Sequence, residues 1–351
     1  MRLHRLLLML ATSTLTLAAR DDPPTPSKPA PKAAKGARKA EAKTRDRDTP
    51  PPCPSNPRVT AQPPATNMPQ LFDRMMNHFA QDPAGGFNNF VGELASLEGP
   101  ALEGVTLTRE EERQAGLKAR AEYLDRAAKR GFAVIESPRK LAYFRALVDR
   151  FKTRMAHRDR YPTIEVTVLD APIPDGQSFP GGFLIFTTAL LDEPDEATVA
   201  GVVAHELAHL DRGHLYNYAR RTKLAEATYR NPAGGNADFD RMFTRQAAML
   251  GLMMNPFRPE HESEADCTST TWLYQDGYDP SGLVGFFERM HRRNNDQPDN
   301  PFFSFGRTHP FSLDRKRAVL NRLAQLQRWK RRDDLGLYPD NLRKLEPRPR
   351  S

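Results

Sequence analysis

The chain has 351 residues, 38% of them hydrophobic and 27% charged, with a formal net charge of +8. That length suffices for one large core or two ordinary ones. The positive charge is not a nucleic-acid footprint. Residues 20–59 carry 10 Lys/Arg against 5 Asp/Glu, and Arg2 and Arg5 add two more charges, so the rest of the chain is nearly neutral. No run interleaves aromatic and basic residues as single-stranded nucleic acid would require. Cys53 and Cys267 are far apart and form no metal pattern, so the default expectation is two unpaired thiols with Cys267 buried; in an oxidising compartment they could pair.

In chain order, Met1–Ala19 reads as a secretory signal peptide: Arg2 and Arg5, a short apolar run from Leu6 to Leu17, then Ala18 and Ala19. The run is too short to span a bilayer comfortably, and no other stretch is long and apolar enough. Residues 20–65 follow as a Pro/Ala/Lys-rich tether that cannot build a core, with 12 prolines between Asp21 and Pro64. Its charge allows peripheral contact with membrane or cell wall, and a plain spacer is the simpler reading. Ordered structure is expected from about residue 66 to residue 331, with residues 332–351 a polar tail.

Thr108 with Glu111 forms a capping box, and acidic residues fill the first turn of a helix that ends near Gly131. A second helix is expected after Pro138, with Leu141, Phe144, Leu147 and Phe151 on one face. Thr163–Asp170 alternates as a strand, and Pro180–Leu191 reads as a turn and a second strand. Helices are then expected from Asp195 or Glu196 to Gly213 and over roughly 215–228, 237–254, 260–275, 281–293 and 312–331. The Met-rich stretch 242–257 reads as core, with a lid as the alternative.

The chemistry concentrates in Val202–His214. His205 and His209 are four apart on one helix, which places two imidazoles on the same face one turn apart. One tetrahedral Zn²⁺ can take both. Glu206 lies beside such a metal without binding it, where it can take a proton from the attacking water and return it to the leaving amine. Val202, Val203, Leu207, Ala208 and Leu210 surround the motif, so the helix is buried, and a buried helix does not carry these polar groups without a use for them. A third protein ligand is needed. A histidine six residues past His209 is excluded because residue 215 is Leu, and His214 falls one short. Glu262, 53 residues after His209, supplies the alternative, with Asp266 four residues on to reach the far nitrogen of a histidine. Glu260, His261 and Glu264 are neighbouring competitors, although Glu264 lies on the wrong side of the helix to join Glu262.

These features in this order resemble metallopeptidase family 48, the gluzincins, and within it the soluble periplasmic BepA/LoiP-like branch. The resemblance rests on TREEERQAGLKARAEY, PGGFLIFTTALL, AHELAHLDRGH, ESEAD, DGYDPSGLVGFFERM and RTHPFSLDR, and covers about residues 108–320. It implies an α+β fold, mostly helical and zincin-like with a small β-sheet. It implies one Zn²⁺ held by His205, His209 and Glu262, with Glu206 as general base. It also points to Gly181, Gly182, Phe183, Leu184 and Ile185 as an edge strand that pairs with an extended substrate, an ordinary internal strand being the alternative. His309 is placed near the site as an oxyanion donor, a gate at the metal or a structural His-Pro turn, and Arg315 as the partner of an acidic core group. Pro259 and Cys267 stand where many members carry arginine. The function implied is a zinc endopeptidase acting on unfolded or misassembled envelope proteins. A catalytically silent zinc-binding chaperone or assembly factor using the same groove is the alternative.

Overall fold

A computed structural model describes residues 49–53, 77, 102, 104–230, 259–293 and 313–343. The signal peptide, most of the tether, the 242–257 stretch and His309 lie outside the described residues. Helix α1 (Arg109–Lys129) begins as the sequence dictates. Thr108 accepts from the Glu111 amide at 3.1 Å, and Glu111 accepts from the Thr108 amide at 2.8 Å. A two-residue strand β1 (Ala133–Val134) and helix α2 (Pro138–Lys152) follow, the latter burying Phe144, Leu147, Val148 and Phe151. Strands β2 (Glu165–Asp170), β3 (Gly176–Phe179) and β4 (Phe183–Thr187) complete a four-stranded sheet in the order β1-β2-β4-β3. β2 and β4 run parallel, and the β1–β2 and β3–β4 pairs are antiparallel.

The sheet is covered on both faces, which is why β4 shows no polar alternation. Leu169, Phe179, Phe183 and Ile185 pack with Ala127, Tyr123 and Leu124 of α1. Val166, Val168, Leu184 and Phe186 face the main core with α2 and helix α3 (Glu196–Asp211), where the Phe144 and Phe186 rings stack at 4.8 Å. Strand β4 therefore lies between β2 and β3, which corrects the edge-strand expectation for Phe183, Leu184 and Ile185. Gly181 and Gly182 form the β3–β4 turn, with φ of 75° and 88° that favour glycine. They turn the chain there, and they sit against α1: a Cβ on Gly116 would lie 1.8 Å from the Pro180 carbonyl oxygen. The buried Glu112 carboxylate fixes this junction, accepting from Arg160 at 2.6 Å, the Tyr161 hydroxyl at 2.9 Å and the Gly181 amide at 3.3 Å. β1 and β3 escaped sequence reading because two and four residues carry too little pattern.

Helices α4 (His214–Arg230), α5 (Pro259–Gln275), α6 (Ser281–Arg293) and α7 (Leu313–Trp329) follow α3. All 16 residues of α3 are buried, and its start is capped by Asp195, which accepts from the Thr198 amide at 2.8 Å. The chain past residue 331 does not behave as a tail through residue 343. Tyr278 bridges to Gly336, the Ala197 amide donates to the Leu337 carbonyl, and helix α8 (Pro339–Arg343) buries Leu342 in the main core. Asn341 and Tyr278 both donate to the buried Glu196 carboxylate, at 3.0 and 2.8 Å.

The expectation of two free thiols is also overturned. Cys53 and Cys267 form a disulfide across 214 residues of sequence, with Cα atoms 5.8 Å apart. The Pro51 carbonyl accepts from Arg322 of α7 at 2.6 Å, so residues 49–53 are pinned to the α5–α7 pair. Spacing could not show this, because nothing in the sequence tells where the arm returns. Closing so long a loop restricts the unfolded chain, and Cys53→Ser is expected to cost about 3–5 kcal/mol. Guanidinium unfolding midpoints of the oxidised parent and the variant measure it.

Candidate active site

Three helices supply the central side chains of the site. α3 supplies His205, Glu206 and His209, α5 supplies Glu262 and Asp266, and α7 supplies Arg315; all six are buried. The Nε2 atoms of His205 and His209 stand 3.0 Å apart. The Glu262 carboxylate lies 3.3 Å from the first and 3.4 Å from the second. These are the three groups whose donor atoms all fall within 4.8 Å of one another among the described residues. A tetrahedron with bonds of about 2.0–2.1 Å has edges of about 3.4 Å, so two imidazoles and a carboxylate at these spacings fit a divalent metal of zinc's size.

The outer nitrogens are held as well. His205 Nδ1 faces Asp266 at 3.0 Å, the geometry expected from the i, i+4 spacing with Glu262. Arg315 clamps the pair: it donates to both oxygens of Asp266 at 2.7 Å and lies 2.9 Å from a Glu262 oxygen, with its guanidinium 4.5 Å over the Phe287 ring. Burial works to raise the Asp266 carboxyl, but Arg315 and His205 hold it below the usual range. Burial likewise opposes the charge on Arg315, and the two carboxylates overrule it and push its pKa up.

His209 has a partner that the sequence did not announce. His214 Nδ1 lies 3.0 Å from His209 Nδ1, and its Nε2 lies 3.2 Å from Glu264. His214 and Glu264 thus form the outer support of the second imidazole. The histidine at the head of the next helix was the available signal. His261 stacks on His214 at 4.2 Å. Burial pushes His209 well below the usual histidine range, and His214 is lowered for the same first reason. His205 differs. Burial opposes its charging, but Asp266 and Glu262 raise it to about 9.

Glu206 does not join the three converging groups. Its carboxylate accepts from the Ser178 hydroxyl of β3 at 2.7 Å. A cavity of about 20 Å³ opens between Glu206, His205, Gly176 and Arg315, with Leu283, Phe286 and Phe287 as its apolar wall. That is room for about one water molecule. The strand beside the site is thus β3, the last strand of the sheet on that side among the described residues, and not β4.

Residues 142–323, just over half of the chain, match the sequence profile of peptidase family M48. The chain belongs to that family. It is similar to the metalloprotease LoiP of Escherichia coli (25% identical over 139 residues, 39% of this chain and 54% of that protein). It is also similar to the beta-barrel assembly-enhancing protease of the same organism (27% over 163 residues, 43% of this chain and 32% of that protein). The mitochondrial metalloendopeptidase OMA1 of Schizosaccharomyces pombe is 27% identical over 164 residues, 46% of this chain and 48% of that protein. The chain therefore spans between about a third and about half of the length of these relatives. The α+β architecture, mostly helical with a small mixed sheet, is that of a zincin-like M48 peptidase domain.

The raised His205 gives metal uptake a definite pH dependence. A ligand imidazole must be neutral to bind, and in the metal-free chain His205 is charged below about 9 whereas His209 is neutral. A divalent metal taken up between these three groups at pH 7 to 8 would therefore release about one proton, with affinity falling about tenfold per pH unit as the pH drops below 9. Calorimetric titration of the metal-free protein in two buffers of different ionisation enthalpy counts the proton.

Proposed function

We propose that this M48 peptidase is an exported, zinc-dependent endopeptidase that cleaves unfolded or misassembled proteins of the cell envelope. The carrying observation is the convergence of His205, His209 and Glu262 with the Glu206 carboxylate beside them, next to a strand at the edge of the sheet. In this reading the first three hold the metal and Glu206 is the base. Zinc bound there would polarise the scissile carbonyl and the attacking water. Glu206 accepts the water proton at its carboxylate and then donates it to the leaving amine. Asp266 and the His214–Glu264 pair hold the two imidazoles in the tautomer that presents Nε2 inward. Arg315 holds the Asp266 carboxyl below the usual range and pairs with Glu262, and the apolar wall of Leu283, Phe286 and Phe287 limits water around the reacting atoms.

Substrate selection follows from the backbone. An extended segment that adds to β3 is gripped by main-chain hydrogen bonds, with little demand on its sequence. Unfolded chains offer such segments more readily than folded ones, which favours them as substrates. Export is supported by the signal-peptide pattern of residues 1–19 and by the Cys53–Cys267 disulfide, because disulfides persist in oxidising compartments. No helix among the described residues is long and apolar enough to cross a membrane. The quality-control role is supported by the relative named as a beta-barrel assembly-enhancing protease. His309, outside the described residues, keeps the three roles that the resemblance to family 48 implies.

The tight cavity favours one second reading, a zinc-holding chaperone or assembly factor that binds unfolded chains in the same groove without cutting them. Digestion of unfolded casein by the parent and by Glu206→Gln, with zinc measured on both, separates the two. The peptidase reading expects cleavage by the parent, and a variant that keeps one zinc but cleaves about 10²- to 10⁴-fold more slowly. Zinc on both proteins and cleavage by neither would establish the silent binder.

A further inference from the structure

We propose that Ser178 is a positioning residue for Glu206, and that β3 thereby serves both as a wall of the cleft and as the clamp on its base. The proposal rests on the reading of Glu206 as general base. Alternation along β3 turns Gly176 and Ser178 toward α3, and Gln177 and Phe179 toward the opposite face, where Phe179 meets the Tyr123 ring of α1 at 5.6 Å. On the α3 side the two short residues do different jobs. A Cβ on Gly176 would lie 2.8 Å from Val202 Cγ1 and 3.2 Å from Glu206 Cγ, so only glycine lets the strand sit this close to the helix. Two residues along, the Ser178 hydroxyl donates to Glu206 Oε2 at 2.7 Å. The same strand thus leaves room for the Glu206 stem at Gly176 and bonds its carboxylate at Ser178.

Both side chains are nearly free of water, with Ser178 1% and Glu206 2% exposed. A hydroxyl–carboxylate bond in such a place is stronger than in solution, and bulk water does not replace it when it is lost. A glutamate has three rotatable side-chain bonds, and Gly176 limits only the first of them. The hydroxyl bears on the last, and with it on the direction of the oxygens relative to the three converging donors. A general base must meet its proton within a few tenths of an ångström, so an orienting bond of this kind acts on the rate of the chemical step and not on substrate grip. Placing that bond on the strand proposed to pair with substrate means that one element sets both the peptide's position and the base's direction.

The test uses the zinc-loaded mature protein, a quenched fluorescent casein peptide, and the variants Ser178→Ala and Ser178→Thr. Ser178→Ala is expected to lower kcat roughly 10- to 100-fold with KM and zinc content unchanged, and Ser178→Thr, which keeps the hydroxyl, to restore most of the rate. A crystal structure of Ser178→Ala is expected to show the Glu206 carboxylate displaced from its place in the parent or split between rotamers. An unchanged kcat, a loss that Thr does not rescue, or a fall expressed in KM would overturn the proposal. Were the parent itself inactive, the peptidase reading would fail on that result, and the crystal structure would still decide this one: a Glu206 carboxylate that stays in place without the hydroxyl refutes the clamp.

Discussion

Helix α3 must carry two imidazoles and a carboxylate through an interior that excludes water along its entire length, and much of the architecture answers that constraint. Each polar group brought inside has to find a partner or be lost as a cost to folding. The imidazoles turn one nitrogen each toward Glu262. Their other nitrogens turn to Asp266 and His214, and those groups in turn meet Arg315 and Glu264. Glu206 meets Ser178. The helices and strand around α3 are therefore arranged by electrostatics as much as by apolar packing. A shift of α5 or α7 would strand a buried charge.

Arg315 is the keystone on one side of this arrangement. It faces two carboxylates and an aromatic ring at once, and a planar guanidinium suits all three, because its fork takes both oxygens of Asp266 and its face lies on Phe287. Breaking such a buried set by removing one member costs far more than the set contributes as a whole. The Cys53–Cys267 bridge is made at the residue next to Asp266, and Arg322, two turns along α7 from Arg315, holds the arm that carries Cys53. The helix that presents both carboxylates, α5, is thus tied covalently to an arm that α7 also holds, by a link that an oxidising compartment preserves.

The other side of the cleft is made by a strand of four residues. Its position depends on the β3–β4 turn, where Gly181 and Gly182 adopt conformations that other residues resist, and on the close seat of Gly116 of α1 against Pro180. α1 contributes no group to the metal site. It fixes the turn that fixes the strand that lies against Glu206, and the Glu112 carboxylate at the junction ties three segments together.

Local pattern determined much of this protein. His205, Glu206 and His209 stand on one helix face by their spacing alone, and Glu262 with Asp266 by theirs, since helical geometry is local and needs no knowledge of the rest of the chain. The capping box at Thr108, the amphipathic face of α2 and the buried character of α3 were legible for the same reason. Tertiary structure decided what depends on distant segments meeting. The PGGFL stretch has the composition of a strand, but only the pairing of β2, β4 and β3 makes it internal and leaves Gly176–Phe179 at the edge. His214 and Glu264, 50 residues apart, become partners because α4 begins where α5 passes. Cys53 finds Cys267 because that segment lies against α5, and Leu342 joins the core because the short segment from Gly336 bonds to Tyr278 and Ala197 beside α3, although its composition reads as a polar tail. Spacing along a helix encodes a face; which face of which element it meets is encoded only in how all the apolar surfaces are buried together.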